Sequence, residues 1–312
     1  MNNFLNAQDF SDLFGESQAP KLLEKIFENH SSVNWSYSNL EEDEFNNLIF
    51  QILKNIEAGH FDKSSESRLG KWVDGWGENL AMLAAGESVE VALKPKYYRK
   101  NRIVRFGRNW IKTEEDNLEW VLFQIVRDYL FEKYLERFDE IHEFGCGSVH
   151  NLYDWAKKRS DLVLRGYDWA SSAVEIGRVL REREAVDLDV GLFNIFEPHS
   201  IRPESDNAVL VTIGALEQVG ERYDAFLHFM RSSSFKSFVH VEPFLELYDS
   251  SQTLDFLAKN YSVSRGYLNG FLPALESLSE QGRIHLEVVK KIELGGRFHL
   301  GWNICVWSNL DD

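Results

Sequence analysis

From residue 139 onward, short apolar runs alternate with segments of helical period. The runs Glu140 to Phe144, Leu162 to Tyr167, Leu188 to Phe193, Asn207 to Ile213 and Ser237 to Val241 read as strands. Between and after them, helices are predicted near Val149 to Lys158, Ser171 to Arg183, Glu221 to Arg231 and Ser251 to Lys259. This βαβ rhythm implies a parallel sheet with helices on both faces. The tail differs: Phe271 to Gly282 reads as a helix, and Arg283 to Leu294 with Arg297 to Ser308 as an antiparallel hairpin turning at Gly295-Gly296.

Upstream, Leu118, Val121, Leu122, Ile125, Val126, Tyr129 and Leu130 fall on one face of a long helix predicted over Glu114 to Phe138, with Thr113 and Asp116 as start signals. Residues 1 to about 60 carry apolar positions at helical spacing, Leu22, Leu23, Ile26 and Phe27, then Phe45, Leu48, Ile49, Ile52, Leu53 and Ile56. Two or three amphipathic helices follow from them. Gly59 to Ser67 is a polar break, and the glycines between Trp72 and Leu80 predict a helix-poor aromatic stretch. Lys94 to Lys112 reads as strand or loop because of Pro95, Gly107 and its β-branched and aromatic content. The expected division is a mainly helical N-terminal region over 1–113 and an α/β domain over 114–312.

The stretch Ile141 to Asn151 carries the first chemistry. Gly145 and Gly147 let the backbone turn tightly and approach a ligand, and the helix after them offers free N–H groups to it. A dinucleotide fingerprint needs a third glycine, and His150 stands in that place. Asp168 ends the second strand, about 20 residues on, where an acid can accept from both ribose hydroxyls; it can equally cap the helix opening at Ser171. Asn194 and Ile195 close the third strand and can read an adenine edge, unless Asn194 is an ordinary turn residue. A nucleoside without a pyrophosphate fits this pattern best.

The run Glu143-Phe-Gly-Cys-Gly-Ser, followed by Asp168, resembles the first two motifs of the class I S-adenosylmethionine-dependent methyltransferases, typically E/D-x-G-x-G. Over roughly residues 138 to 310 the resemblance implies a doubly wound, seven-stranded mixed sheet of order 3-2-1-4-5-7-6 with strand 7 antiparallel. It also implies S-adenosylmethionine as cofactor. Glu143 and the backbone of Gly145, Cys146 and Gly147 would meet the methionine end, Asp168 the ribose, Trp169 an adenine face, and Asn194 with Ile195 the adenine edge. Gly214 joins the cofactor site as part of the run Ile213 to Gly220 after the fourth strand. That run and His240-Val-Glu-Pro243 resemble small-molecule methyltransferases, including those of bacterial surface-saccharide modification. The N/D/S-P-P-Y/F signature of enzymes methylating nucleic-acid bases is absent, as is the double-acid hairpin of protein arginine methyltransferases.

Methyl transfer to a hydroxyl needs alignment and removal of one proton. Glu217, Gln218, His240, Glu242 and Glu246 follow the fourth or fifth strand, where ligands of open α/β sheets lie. His240, with an ordinary pKa of about 6.5, is the expected base, with Glu242 as orienter and Glu217 as a further acid; the alternative is a core histidine and a rim acid. Glu217, Glu242 and His299 lack metal-ligand spacing, so no metal is called for.

A formal charge of −16 over 312 residues disfavours a nucleic-acid partner. Cys146 and Cys305, far apart, suit a reducing compartment, and no apolar run reaches roughly eighteen residues, so a soluble cytoplasmic protein without a membrane segment is expected. Against the overall charge, Lys94, Lys96, Arg99, Lys100, Arg102, Arg105, Arg108 and Lys112 follow one another without an acid. Arg99, Arg102 and Arg105 are candidates to clamp an anionic acceptor with Tyr98 closing over it; alternatively the stretch is a solvated face. The expected function is methylation of a small polar acceptor, a sugar or phosphorylated metabolite, on oxygen. The alternatives are a cofactor-binding regulatory protein without catalysis and a nicotinamide-dependent oxidoreductase, the latter disfavoured by the missing third glycine and the terminal hairpin.

Overall fold

In the computed structural model, residues 3–98, 101–298 and 300–310 are described. The chain opens with β1 (Asn3–Phe4), α1 (Ala7–Leu13), α2 (Lys21–Glu28), β2 (Ser36–Asn39), α3 (Glu42–Glu57), α4 (Leu69–Ala84), α5 (Val89–Leu93), β3 (Ile103–Phe106) and β4 (Asn109–Thr113). Helices dominate this part, as the periodicity predicts. The stretch from Trp72 to Leu80 corrects one expectation, for it lies inside α4. Gly75 and Gly77 face open space, and Trp72 and Trp76, one turn apart, stack at 5.5 Å. Packing of this aromatic face outweighs the glycine penalty of about 1 kcal/mol per residue.

Next come α6 (Leu118–Leu130), drawn out by a π turn over Phe131–Leu135, then β5 (Glu140–Phe144), α7 (His150–Lys158), β6 (Val163–Asp168), α8 (Ser171–Glu184), β7 (Leu188–Leu192), β8 (Ala208–Ile213), α9 (Asp224–Ser232), β9 (Ser237–Glu242), α10 (Thr253–Arg265), α11 (Phe271–Glu280), β10 (Ile284–Lys290), β11 (Leu294–Gly295) and β12 (Asn303–Asn309). The large sheet has the order β10-β12-β9-β8-β5-β6-β7. Its inner strands β5 to β9 pair parallel, and β12 runs antiparallel to both β9 and β10. Counting from β5, this is the expected 3-2-1-4-5-7-6 with the seventh strand reversed. Every residue of β5 and β9 is buried, as strands covered on both faces must be.

The terminal pair departs from the expected hairpin. Gly295-Gly296 is no turn between its strands; the connection runs from Lys291 to Trp302 and contributes β11, which pairs with β3. A second sheet, β1-β2-β4-β3-β11, is closed by that strand. The C-terminal part thus reaches back across the division expected at residue 113. The core is continuous too: Phe10, Trp35 and Leu83 share one apolar cluster with Val126, Ile141 and Leu164. No helix among the described residues is long and apolar enough to cross a membrane.

Candidate active site

The glycine turn starts where β5 ends. The N–H groups of Gly145 and Cys146 both donate to the Tyr167 carbonyl at 2.6 and 3.1 Å, tying the turn to the end of β6. Gly145, Gly147 and Val149 each adopt positive φ, at 78°, 53° and 67°. The third left-handed position is therefore Val149, directly before α7, and not His150. A β-branched residue there carries strain of about 1–2 kcal/mol, offset by a side chain with no solvent exposure. A Cβ on Gly145 would overlap the Ala215 methyl, and one on Gly147 would lie 2.7 Å from the Trp76 ring. The glycines thus allow close approach of neighbouring chain as well as of ligand.

Around this turn lies a cleft of about 560 Å³ out to its mouth, lined by Trp72, Trp76, Gly145, Asp168, Trp169, Phe193, Ile195, Phe196, Gly214, Ala215, Gln218 and Val219. Five of the expected cofactor residues meet here: Gly145, Asp168, Trp169, Ile195 and Gly214. Asp168 holds the turn, accepting from the Gly147 N–H and the Ala170 N–H at 2.9 Å each. Burial lifts its pKa to about 6 against those bonds. It serves as a local cap and still faces the cleft. Glu143, at the end of β5, accepts from the Asn151 amide at 2.7 Å through one oxygen, while the other has no partner. Burial lifts it to about 8 against that hydrogen bond.

One assignment changes. The Asn194 side chain turns onto its own loop and accepts from the Phe196 N–H at 3.0 Å, so it does not line the cleft. The Cys146 thiol is buried in the core, and only its backbone belongs to the turn. Of the aromatic wall, Trp72 and Trp76, which the sequence offers as a lid or as packing, arrive from α4, while Phe193 and Phe196 on either side of Ile195 carry no signal of their own.

His240 is not placed to act as a base. It has no solvent exposure, and its Nε2 accepts from the Trp307 indole N–H at 3.0 Å. An indole only donates, so Nδ1 carries the proton and donates to Thr212 Oγ1 at 2.8 Å. Burial pushes the imidazole pKa down to about 3. Thr212 in turn bonds Glu242. Glu242, also without exposure, accepts from the N–H groups of Ala215 (3.1 Å), Leu216 (3.0 Å) and Glu217 (3.0 Å). Burial and the charge of Glu217 push Glu242 up to about 8. These two residues hold the turn after β8 and touch no open space. Glu246 is likewise occupied, accepting from the Gly270 N–H at 2.7 Å.

Glu217 is the acid that the turn presents. Its Oε1 accepts from the Gln218 amide at 2.7 Å, and Gln218 lines the cleft. Burial lifts its pKa to about 7, opposed by Gln218, the charge of Arg265, a bond from Tyr267 and the charge of Arg68.

The basic stretch is mostly paired. Arg105 is 3 % exposed and bonds Asp255 at 2.5 Å, while Arg102 sits at the surface on Asp116 at 2.8 Å. Lys112 bonds Glu44, Lys96 bonds Glu78 and Lys94 bonds Asn117. Tyr98 is buried against Tyr97, Trp120 and Phe123. Arg102, Arg105 and Tyr98 therefore form no clamp; Arg99, and His299 of the discarded metal set, lie outside the described residues. Among the described residues no three metal-ligating side chains gather.

A seven-stranded sheet of this order, one reversed strand and a glycine turn after the first strand make this the class I S-adenosylmethionine-dependent methyltransferase fold. No protein-family model and no curated protein matches the chain. Solved structures do. A SAM-dependent methyltransferase from Methanosarcina mazei aligns at 15 % identity with a TM-score of 0.45, covering 59 % of this chain and 98 % of that one. The O-methyltransferase NcsB1 of neocarzinostatin biosynthesis, in complex with S-adenosylmethionine and 2-hydroxy-5-methyl naphthoic acid, aligns at 12 % and 0.41, covering 77 % and 70 %. The 16S rRNA methylase ArmA aligns at 15 % and 0.43, covering 75 % and 98 %.

Proposed function

We propose that the protein is an S-adenosylmethionine-dependent methyltransferase that methylates a hydroxyl of a small polar acceptor, a sugar or phosphorylated metabolite, with Glu217 as the general base. The observation that carries this reading is the cleft at the carboxyl ends of β5, β6 and β8, lined by the glycine turn and by Gln218, whose amide holds Glu217, a half-buried acid of near-neutral pKa. The residues fit the cofactor: Glu143 has an unpartnered oxygen for an ammonium group, Asp168 and the Gly145 turn suit a ribose and its tail, and Trp169 with Ile195 suits adenine. When bound, the cofactor supplies a methyl group on a sulfonium, open to in-line displacement.

Glu217 receives the acceptor's proton on its carboxylate, which Gln218 and Tyr267 hold in place. Its pKa of about 7 matches that task, because a base near ambient pH is both deprotonated and strong enough. Trp72 and Trp76 keep water from the cleft, and Glu242, fixed through Thr212 and His240, holds the backbone that carries Glu217. Thermal shift with S-adenosylhomocysteine against NAD tests the cofactor assignment. Stabilisation by S-adenosylhomocysteine is expected, and stabilisation by NAD alone overturns the reading.

A further inference from the structure

Glu217 feels the charge of two guanidinium groups, Arg68 and Arg265, which also act on Asp62 but make no ion-pair contact with either acid. Arg68 precedes α4 and donates to Gln218 Oε1 at 3.0 Å, with its guanidinium 5.2 Å over Trp72; both partners line the cleft. Arg265 ends α10, lies 5.3 Å over the Tyr267 ring and bonds its hydroxyl. Glu217 feels the charge of both, and Tyr267 bonds it as well. Neither arginine forms an ion pair among the described residues, and the Nε of each is buried without a hydrogen-bond partner. Their neighbours are different. Lys71 is matched by Asp62 at 2.5 Å and Arg222 by Glu66 at 2.9 Å.

A guanidinium is charged at every relevant pH and presents its N–H groups in a fork that matches an oxyanion. Two of them beside the proposed base, neither in an ion-pair contact among the described residues, are unusual in a chain of charge −16. Their remaining donors call for a ligand that brings its own negative charge.

We propose that the acceptor is a hydroxylated organic oxyanion, its carboxylate or phosphate held by Arg68 and Arg265 while its hydroxyl meets Glu217. The proposal rests on the methyltransferase reading of the same site and gives it a substrate class. The arginines bind and orient; Gln218, bonded to both Arg68 and Glu217, sets the distance between the anionic end and the reacting oxygen.

Calorimetric titration of the full chain with inorganic phosphate and, separately, with salicylate tests this, each with and without S-adenosylhomocysteine. Saturable binding of at least one probe is expected, and the probe that binds distinguishes phosphate from carboxylate. Arg68→Gln and Arg265→Gln should each weaken it by about tenfold or more, with Arg→Lys recovering part, while S-adenosylhomocysteine affinity is unchanged. If Arg265→Gln fails to fold, Arg68→Gln, on a surface turn, decides. Binding that is equal in the variants, or binding of neither probe, overturns the anionic acceptor. Failure of S-adenosylhomocysteine to bind overturns the methyltransferase reading instead, and the arginine dependence of probe binding still judges the clamp.

Discussion

The Trp307 indole donates to His240 Nε2 across 3.0 Å in the interior of the sheet. That bond occupies the nitrogen lone pair a general base would need. It also makes His240 a link from β12 to Thr212 and Glu242, so the histidine steadies the loop that carries Glu217.

Replacing His240 by Ala should therefore act on stability first. Orphaning Trp307 and Thr212 in a closed core costs about 2–4 kcal/mol, a marked fall in the urea midpoint. Turnover of the folded fraction at low temperature should keep its pH profile. A lost acid limb with unchanged stability would return His240 to the chemistry.

Glu217→Gln should lower kcat by roughly 10²–10⁴ while S-adenosylhomocysteine binds as before. In the unaltered protein the rate should rise with pH through about 7, since the base works deprotonated. The variant should lack that rise, and a profile identical in both would dismiss Glu217 as the base.

Gly147→Ala should destabilise the protein by about 1–3 kcal/mol, because φ of 53° and the Trp76 ring at 2.7 Å both exclude a methyl group. Adding Trp76→Ala removes only the steric part. A double variant no better than the sum of the singles would argue against the contact.

Arg105→Ala breaks a buried ion pair with Asp255, to which Lys291 also bonds. Removing one member should cost about 3–5 kcal/mol and leave the acceptor KM of the folded enzyme unchanged. A raised KM at unaltered melting temperature would restore Arg105 to acceptor binding.

Stability should fall as pH rises from about 6.5 to 8. Glu143 and Glu242 at about 8 and Glu217 at about 7 hold protons in the folded state that the unfolded chain has already released. Fewer protons bound on unfolding means a negative slope of unfolding free energy with pH. Below about 6.5 the trend is opposed, because buried His240, with a folded value of about 3, must take up a proton on unfolding. Urea titrations at pH 6.5 and 8 measure the slope; Glu143→Gln should flatten it, and a rise would contradict the burial of these acids.

Sequence alone determined the parallel sheet, because each strand is a short apolar run and each helix an amphipathic segment, and these periods are local properties. β5 begins and ends at the residues the pattern marks, and the acidic and glycine positions Glu143, Gly145 and Asp168 were legible because backbone turning and ligand approach demand those residue types. Position 149 was not, since a valine gives no sign of a left-handed backbone; nor was α4, where glycines mask a helix held by packing. The roles of polar side chains were decided only in three dimensions. Whether His240, Glu242, Arg105 or Arg68 binds a ligand or a neighbour depends on which donors and acceptors other elements bring within about 3 Å, and strand β12, α10 and the turn before α4 settle that from distant parts of the chain.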